Sequence, residues 1–254
     1  MNVIESTIRN KLVISHHIIQ HNNLDDLLST HLSARIPDTN QILITPLDVP
    51  FEKIQPHMLV KLDLNGDIID DNGYSVMPQG SNIHLPIYQN NPNIHSAMHT
   101  HSIYGTAVSS LECGLLFMNQ HALRFYDEIA YHNYDALALG NEGEQIANSL
   151  KDKKVMVLRN HGLLTTGTSI EQATYLLFYL ERACEIQIKT LSTNQTIIKI
   201  SPDICLKTKA QFMKITNPKE EFWALANRCP QSINYAQYND ETVHFSNNKV
   251  TQNP

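Results

Sequence analysis

His99 and His101 in Met98-His99-Thr100-His101-Ser102, with His161 in Asn160-His161-Gly162, have the types and spacing of three imidazole ligands for one transition metal. On a strand, side chains two residues apart share a face, so His99 and His101 make half of such a site. The third imidazole comes from a later segment. It follows Lys154-Val155-Met156-Val157-Leu158, which reads as a buried strand. The glycine after His161 permits a tight turn or a close backbone approach. Three histidines with an open fourth position form the catalytic type of zinc site, whereas structural sites are closed. The chain holds 13 histidines, so a chance pair of hydrogen-bonded structural residues is the alternative.

Several elements must position these residues. Val3, Ile4, Ile8, Leu12, Ile14, Ile18 and Ile19 recur at helical spacing and stop at Asn22-Asn23, and a short connection through Asp25-Asp26 follows. Gln41 to Thr45 reads as a strand stopped by Pro46, and Leu59 to Leu64 alternates as another. Asn65-Gly66 then predicts a hairpin leading into Asp67 to Asp70. Residues 82–90 read as a helix broken at Asn90-Asn91-Pro92, and the strand carrying His99 follows. Ser102 is placed to cap a helix from Ile103 to Leu111. Gly140-Asn141 precedes a helix ending at Leu150. Leu163 to Gly167 reads as a strand and turn. Thr168-Ser169-Ile170-Glu171 then fits a capping box opening a helix with Ala173, Leu177, Leu180, Cys184 and Ile188 on its apolar face. Asn217-Pro218 starts a last helix through Trp223 and Leu225. The Asn-rich end reads as a frayed tail. Alternating helices and strands with some hairpins predict a mixed sheet layered with helices, in one domain.

Composition narrows the function. Hydrophobic residues make up 42% and charged residues 17%, as in an ordinary globular protein, and the net charge is -6 with no basic stripe, which argues against nucleic acid as a partner. No apolar run approaches the roughly 18 residues a membrane span needs. Met1 to Leu12 carries Glu5, Arg9 and Lys11, unlike a signal peptide. The four cysteines form no CxxC pair, so free buried thiols in a reducing cytoplasm are expected. There is no GxGxxG, P-loop or GxSxG motif.

A family resemblance rests on segments that stand in order. They are Ile44-Thr45-Pro46, Pro50 to Ile54, His84-Leu85-Pro86-Ile87-Tyr88, His99-Thr100-His101-Ser102, Leu158 to Leu164 and Leu180 to Gln187. Together they resemble the class II aldolase/adducin family over roughly residues 3 to 195; the remainder, from about Thr196, has no match to it. The resemblance implies a three-layer α/β/α sandwich with a mixed, largely antiparallel central sheet. It also implies a homotetramer with sites near subunit interfaces, and a divalent metal, most often Zn2+, on His99, His101 and His161. In family enzymes the metal stabilises an enediolate as a Lewis acid. Adducin heads share the fold without catalysis.

The chain departs from the family's sugar-phosphate enzymes. These carry Pro-Ser-Ser-Glu before the segment matched by His84, where this chain reads Met77-Pro78-Gln79-Gly80, so glycine replaces the acid/base Glu. Leu47-Asp48 replaces a phosphate-binding Thr-Gly, and Asp48 would repel a dianion. An early Gly-Asn reads Thr30-His31. An unphosphorylated substrate is therefore expected. Tyr74, Val76, Pro78, Gly80 and His84 fit the adducin-like branch instead, as do Gln120, Tyr131, His132 and Tyr134.

Among other residues, Gln120, Tyr131 and His132 are the candidates for substrate binding and acid/base work, with Tyr126 and Tyr134 as further proton donors. Surface exposure or interface packing is the alternative for each. Glu112 and Asp48 are the carboxylates considered as a replacement base, and His84 reads as a core residue. Glu181, Arg182 and Glu185 read as a charged helix face. The expected function is a metal-dependent lyase or aldolase-like enzyme acting on a small hydroxycarbonyl or hydroxy acid. The alternative is a non-catalytic, adducin-like metal-binding assembly module.

Overall fold

The structure, a computed structural model, describes residues 3–230; the Asn-rich tail lies outside them. Helix α1 (Val3–His21) leads into β1 (His31–Ile36), β2 (Gln41–Ile44) and β3 (Val60–Asp63). Helix α2 (Pro78–Asn90), β4 (Ser96–Thr100), α3 (Ile103–Ser109) and β5 (Ile129–His132) come next. Then follow α4 (Glu142–Leu150), β6 (Val155–Leu158), β7 (Gly162–Gly167), α5 (Ile170–Leu191), α6 (Pro202–Ile215) and α7 (Pro218–Ala226). The seven strands form one sheet in the order β3-β2-β1-β4-β7-β6-β5. Every pairing is antiparallel except β5 with β6. This is the mixed, largely antiparallel sheet that the sequence and the resemblance predict.

Strand alternation builds the two faces. On β4, β6 and β7, Met98, Val155, Val157 and Leu163 pack with Leu12 of α1 and Leu177 of α5. Ala97, Met156, Leu158 and Leu164 pack on the other face with Ile83 of α2 and Ile146 of α4. Helices α1, α5 and α7 therefore form one outer layer, and α2 with α4 the other.

Three elements went unassigned in the sequence. In β1, Leu32, Ala34 and Ile36 face the α1/α5 layer, while His31, Ser33 and Arg35 take the α2 face, yet all six residues are buried. A polar strand face is buried here because α2 supplies partners. Arg35 donates to the Tyr88 carbonyl at 2.6 Å and the Ile94 carbonyl at 3.2 Å. Strand β5 is too short for a clear period. Helix α6 buries only Cys205, so its apolar signal is weak.

Some local expectations change. The Asn65-Gly66 turn forms, with Gly66 at φ +97°, but no returning strand follows. Only Leu62 and Ile68 bridge, because the Asp63 carboxylate takes the N–H groups of Asn65 (2.8 Å) and Asp67 (3.0 Å) and curls the chain. The cap of α5 is Ser169 rather than Thr168: its Oγ accepts from Gln172 N at 3.1 Å, while Gln172 Oε1 accepts from Thr168 N at 2.9 Å. All four cysteines are free, but Cys113 is exposed, contrary to the expected burial. Asn217 caps α7 as predicted, accepting from Lys219 N at 3.1 Å.

Candidate metal centre

The site sits at one end of the middle strands. His99 is at the end of β4 on the α2/α4 face, two residues past Ala97, and His101 follows the strand on the same side. His161 lies in the tight link from β6 to β7. Asn160 adopts φ +57° there, and the His161 N–H donates to the Leu158 carbonyl at 3.0 Å. Gly162 is needed for close approach rather than for a left-handed turn. A Cβ on it would collide with the Thr100 carbonyl oxygen and reach His101 Cδ2 at 3.2 Å.

Three imidazole nitrogens converge. His101 Nε2 lies 3.0 Å from His99 Nε2 and 3.0 Å from His161 Nε2. Zinc–nitrogen bonds of about 2.0–2.1 Å in tetrahedral geometry separate ligand atoms by roughly 3.3 Å. Small ring rotations therefore make this set fit an ion. The tautomers fit too. His99 Nδ1 faces the Leu163 carbonyl at 2.9 Å, and since a carbonyl only accepts, Nδ1 holds the proton and Nε2 offers a lone pair. His101 Nδ1 meets the Asp26 carboxylate at 3.1 Å, an arrangement that orients the ring.

The electrostatics keep the His99 and His161 rings neutral. Burial, reinforced by the neighbouring His31, His161 and His101 rings, holds the His99 pKa well below its ordinary value. Burial lowers that of His161 to about 4, with His101 and His132 adding to the shift. Neutral imidazoles are what a metal requires.

The other candidates divide by strand face. His132 lies on the same face as Ala130 and His99. Its Nδ1 is 3.0 Å from Ser149 Oγ, and its buried Nε2 has no hydrogen-bond partner among the described residues. Burial lowers its pKa, with Glu142 and Asp135 opposing. Tyr134 brings its ring within 6.1 Å of the His161 ring. Tyr131, one residue from His132, necessarily faces the opposite layer. Its hydroxyl accepts from Leu115 N at 3.1 Å and its ring lies under the Arg159 guanidinium, so the chain turns it away from the histidines. Gln120 is exposed, and none of its described contacts reaches the triad. Tyr126 packs against Phe117 at 4.9 Å, and Glu112 and Asp48 are exposed. The single chain thus assembles His132 and Tyr134 beside the triad, but not Gln120 or Tyr131.

Glu181 is not a solvated charge. It is buried and takes the Ser102 hydroxyl (2.6 Å) and the backbone N–H groups of Tyr104 (3.0 Å) and Gly105 (2.8 Å). It anchors the start of α3 just after His101. Ser102 therefore donates to Glu181 instead of capping the helix itself. Arg182 and Glu185 do pair, at 3.7 Å.

Two residues at the centre had no role in the sequence reading: Asp26, placed only in a connection, and His31, noted only as a departure from the family's Gly-Asn, whose ring centroid lies 4.9 Å from that of His99. The β1–β4 register sets His31 directly opposite His99, but that pairing is long-range and leaves no local signal. Two surface grooves lie elsewhere. One of about 400 Å³ is lined by Arg124, Lys209 and Phe212, and another of about 470 Å³ by Ile87, Asn90 and Leu150.

Residues 10–188 match the model of the family described as Class II Aldolase and Adducin N-terminal domain. A putative aldolase class 2 protein of Caulobacter vibrioides is 37% identical over 194 residues, 76% of this chain and 76% of that one. Rat alpha-adducin is 34% identical over 194 residues, 74% of this chain but only 26% of the adducin. Among solved structures, an aldolase II superfamily protein from Pseudomonas syringae superposes with a TM-score of 0.88 at 33% identity, covering 94% of this chain and 98% of that one. An L-fuculose 1-phosphate aldolase from Glaciozyma antarctica gives 0.78 at 27% identity, covering 92% and 90%.

Proposed function

This chain belongs to the class II aldolase and adducin family, and we propose that it is a metal-dependent, aldolase-type lyase acting on a small, unphosphorylated hydroxycarbonyl or hydroxy acid. His99, His101 and His161 hold one divalent cation, Zn2+ by preference for imidazole. The carrying observation is the convergence of three Nε2 atoms with the His99 and His101 Nδ1 atoms tied back by Leu163 and Asp26. When bound, the cation supplies Lewis-acid stabilisation of charge developing on substrate oxygens, as in an enediolate.

The chain's own residues do the rest. His132 offers an unpartnered Nε2 on the triad's side of the sheet, suited to hold a substrate hydroxyl or exchange its proton. Tyr134 stands over His161. Gly80 brings no carboxylate, and Asp48 is exposed on the segment where the family's phosphate binders carry Thr-Gly, which supports an unphosphorylated substrate. A homotetramer with sites near subunit interfaces fits the exposed Leu27, Ile103 and Tyr134, which neighbour Asp26, His101 and His161. A cytoplasmic location fits the four free cysteines, and no helix among the described residues is long and apolar enough to cross a membrane.

A non-catalytic, adducin-like role is the second reading, favoured by the glycine at position 80 and the 34% identity to alpha-adducin. A thermal-shift screen of the zinc-loaded chain separates the two. The enzyme reading predicts stabilisation by an unphosphorylated hydroxy acid or aldose and none by sugar phosphates, since a ligand that binds only the folded state raises its melting temperature. Micromolar binding of a sugar phosphate would overturn the substrate class. No response to any of these compounds would favour the assembly module.

A further inference from the structure

His31 has the surroundings of a working residue. It is 4% exposed, sits opposite His99 in the β1–β4 register, and stacks at 36° to that ring with centroids 4.9 Å apart. Its Nδ1 meets His84 Nε2 at 2.9 Å. His84 Nδ1 meets Ser33 Oγ, and Ser33 Oγ meets the Tyr88 hydroxyl at 2.8 Å. All four groups are buried. The His31 Nε2 makes no hydrogen bond among the described residues. Gly80 fits against the face of the ring, where a Cβ would stand 3.3 Å from His31 Cδ2 and Cγ.

The chain of contacts has a definite logic. A nitrogen-to-nitrogen bond needs one N–H and one lone pair, so the tautomers of His31 and His84 are coupled. If His84 accepts from His31 Nδ1–H, its own Nδ1–H donates to Ser33, whose hydroxyl donates on to Tyr88. His31 then shows a lone pair at Nε2. In the reverse setting Tyr88 donates to Ser33, Ser33 to His84 and His84 to His31, and His31 shows an N–H. Each contact within the relay keeps one donor and one acceptor in both settings, and neither adds a charge.

We infer that His31 is a ligand-binding residue of the triad site, a neutral imidazole that either donates to or accepts from an oxygen of the small molecule seated on the metal, with His84 as the positioning residue that sets its tautomer. This rests on the metal-centre reading above. It gives a role to the one imidazole nitrogen on the polar face of β1 that α2 leaves without a partner.

The test uses the full chain loaded with cobalt(II), whose visible spectrum reports its ligands, and acetohydroxamate as a probe that binds open metal positions through oxygen. The His31→Ala and His31→Asn variants should keep one cobalt per chain and a folded circular dichroism spectrum, yet bind acetohydroxamate about 10-fold more weakly, the scale of one lost hydrogen bond. His84→Gln should weaken it several-fold alone and add nothing in the His31→Ala background, which a purely structural role would not produce. Hydroxamate affinity unchanged in both His31 variants would overturn the inference. So would loss of cobalt from both, which would make His31 a ligand, or failure of the cobalt-loaded parent to bind the probe at all. Failure of the parent to take up cobalt would instead remove the metal reading itself.

Discussion

His99 Nδ1 and the Leu163 carbonyl oxygen stand 2.9 Å apart across β4 and β7, and this one contact decides how His99 can act. Because the carbonyl cannot donate, the ring proton is fixed on Nδ1. The Nε2 lone pair is left pointing at His101. A strand-pairing contact thus presets the tautomer that ligation through Nε2 would require. His101 has a looser counterpart in Asp26, whose side chain is half-exposed in the loop after α1.

That difference yields a first prediction. Asp26→Asn should leave the fold intact and weaken zinc binding by about 10-fold, the low end of the effect expected from removing the partner of a ligating imidazole. Competition titration against a chromophoric chelator measures it. An unchanged zinc affinity would mean that Asp26 merely sits near the ring.

Gly162 supports a second. A methyl group there meets the Thr100 carbonyl, fixed by the β4–β7 ladder, and the His101 ring beside it. Gly162→Ala should lower stability by roughly 2 kcal/mol or more, as overpacking does in well-packed regions, and should also reduce metal occupancy by displacing His101. Urea denaturation with metal analysis on the same samples reads both. A variant of normal stability and full metal content would contradict the close approach.

Acid sensitivity follows from the buried imidazoles. Burial lowers the pKa of His16 and of His84 to about 3, from 6.5. Unfolded, these residues would take up protons below about 6.5, while the folded protein holds them neutral down to about 3. Stability is therefore fully present above pH 6.5 and falls as pH drops through the window from about 6.5 to about 3, by about 1.4 kcal/mol per pH unit for each such histidine. Melting temperatures should decline steadily from pH 7 to pH 5, ahead of most carboxylate titration. A flat profile over that range would contradict the buried neutral state.

How legible the site was depends on the range of each signal. The triad could be read because HxH is a local, period-two pattern and because the run before His161 is visibly a strand. The same alternation places His132 with the triad and Tyr131 away from it, but β5 carries too few residues to fix its faces from sequence. In β1 the alternation of His31, Ser33 and Arg35 with Leu32, Ala34 and Ile36 was present, and only the later helix α2 explains why its polar face is buried. Glu181 reads as one more charge on a long helix. Its role depends on Ser102, Tyr104 and Gly105, which lie far off in sequence and come together only in the fold.

The most direct test of the account is the metal content of the untagged chain beside its His99→Ala/His101→Ala double variant, by inductively coupled plasma mass spectrometry after exposure to zinc and desalting. The triad predicts about one zinc per chain in the parent, as for a single three-histidine site, and none above background in the folded double variant. Equal zinc in both proteins, or none in the parent, would contradict it.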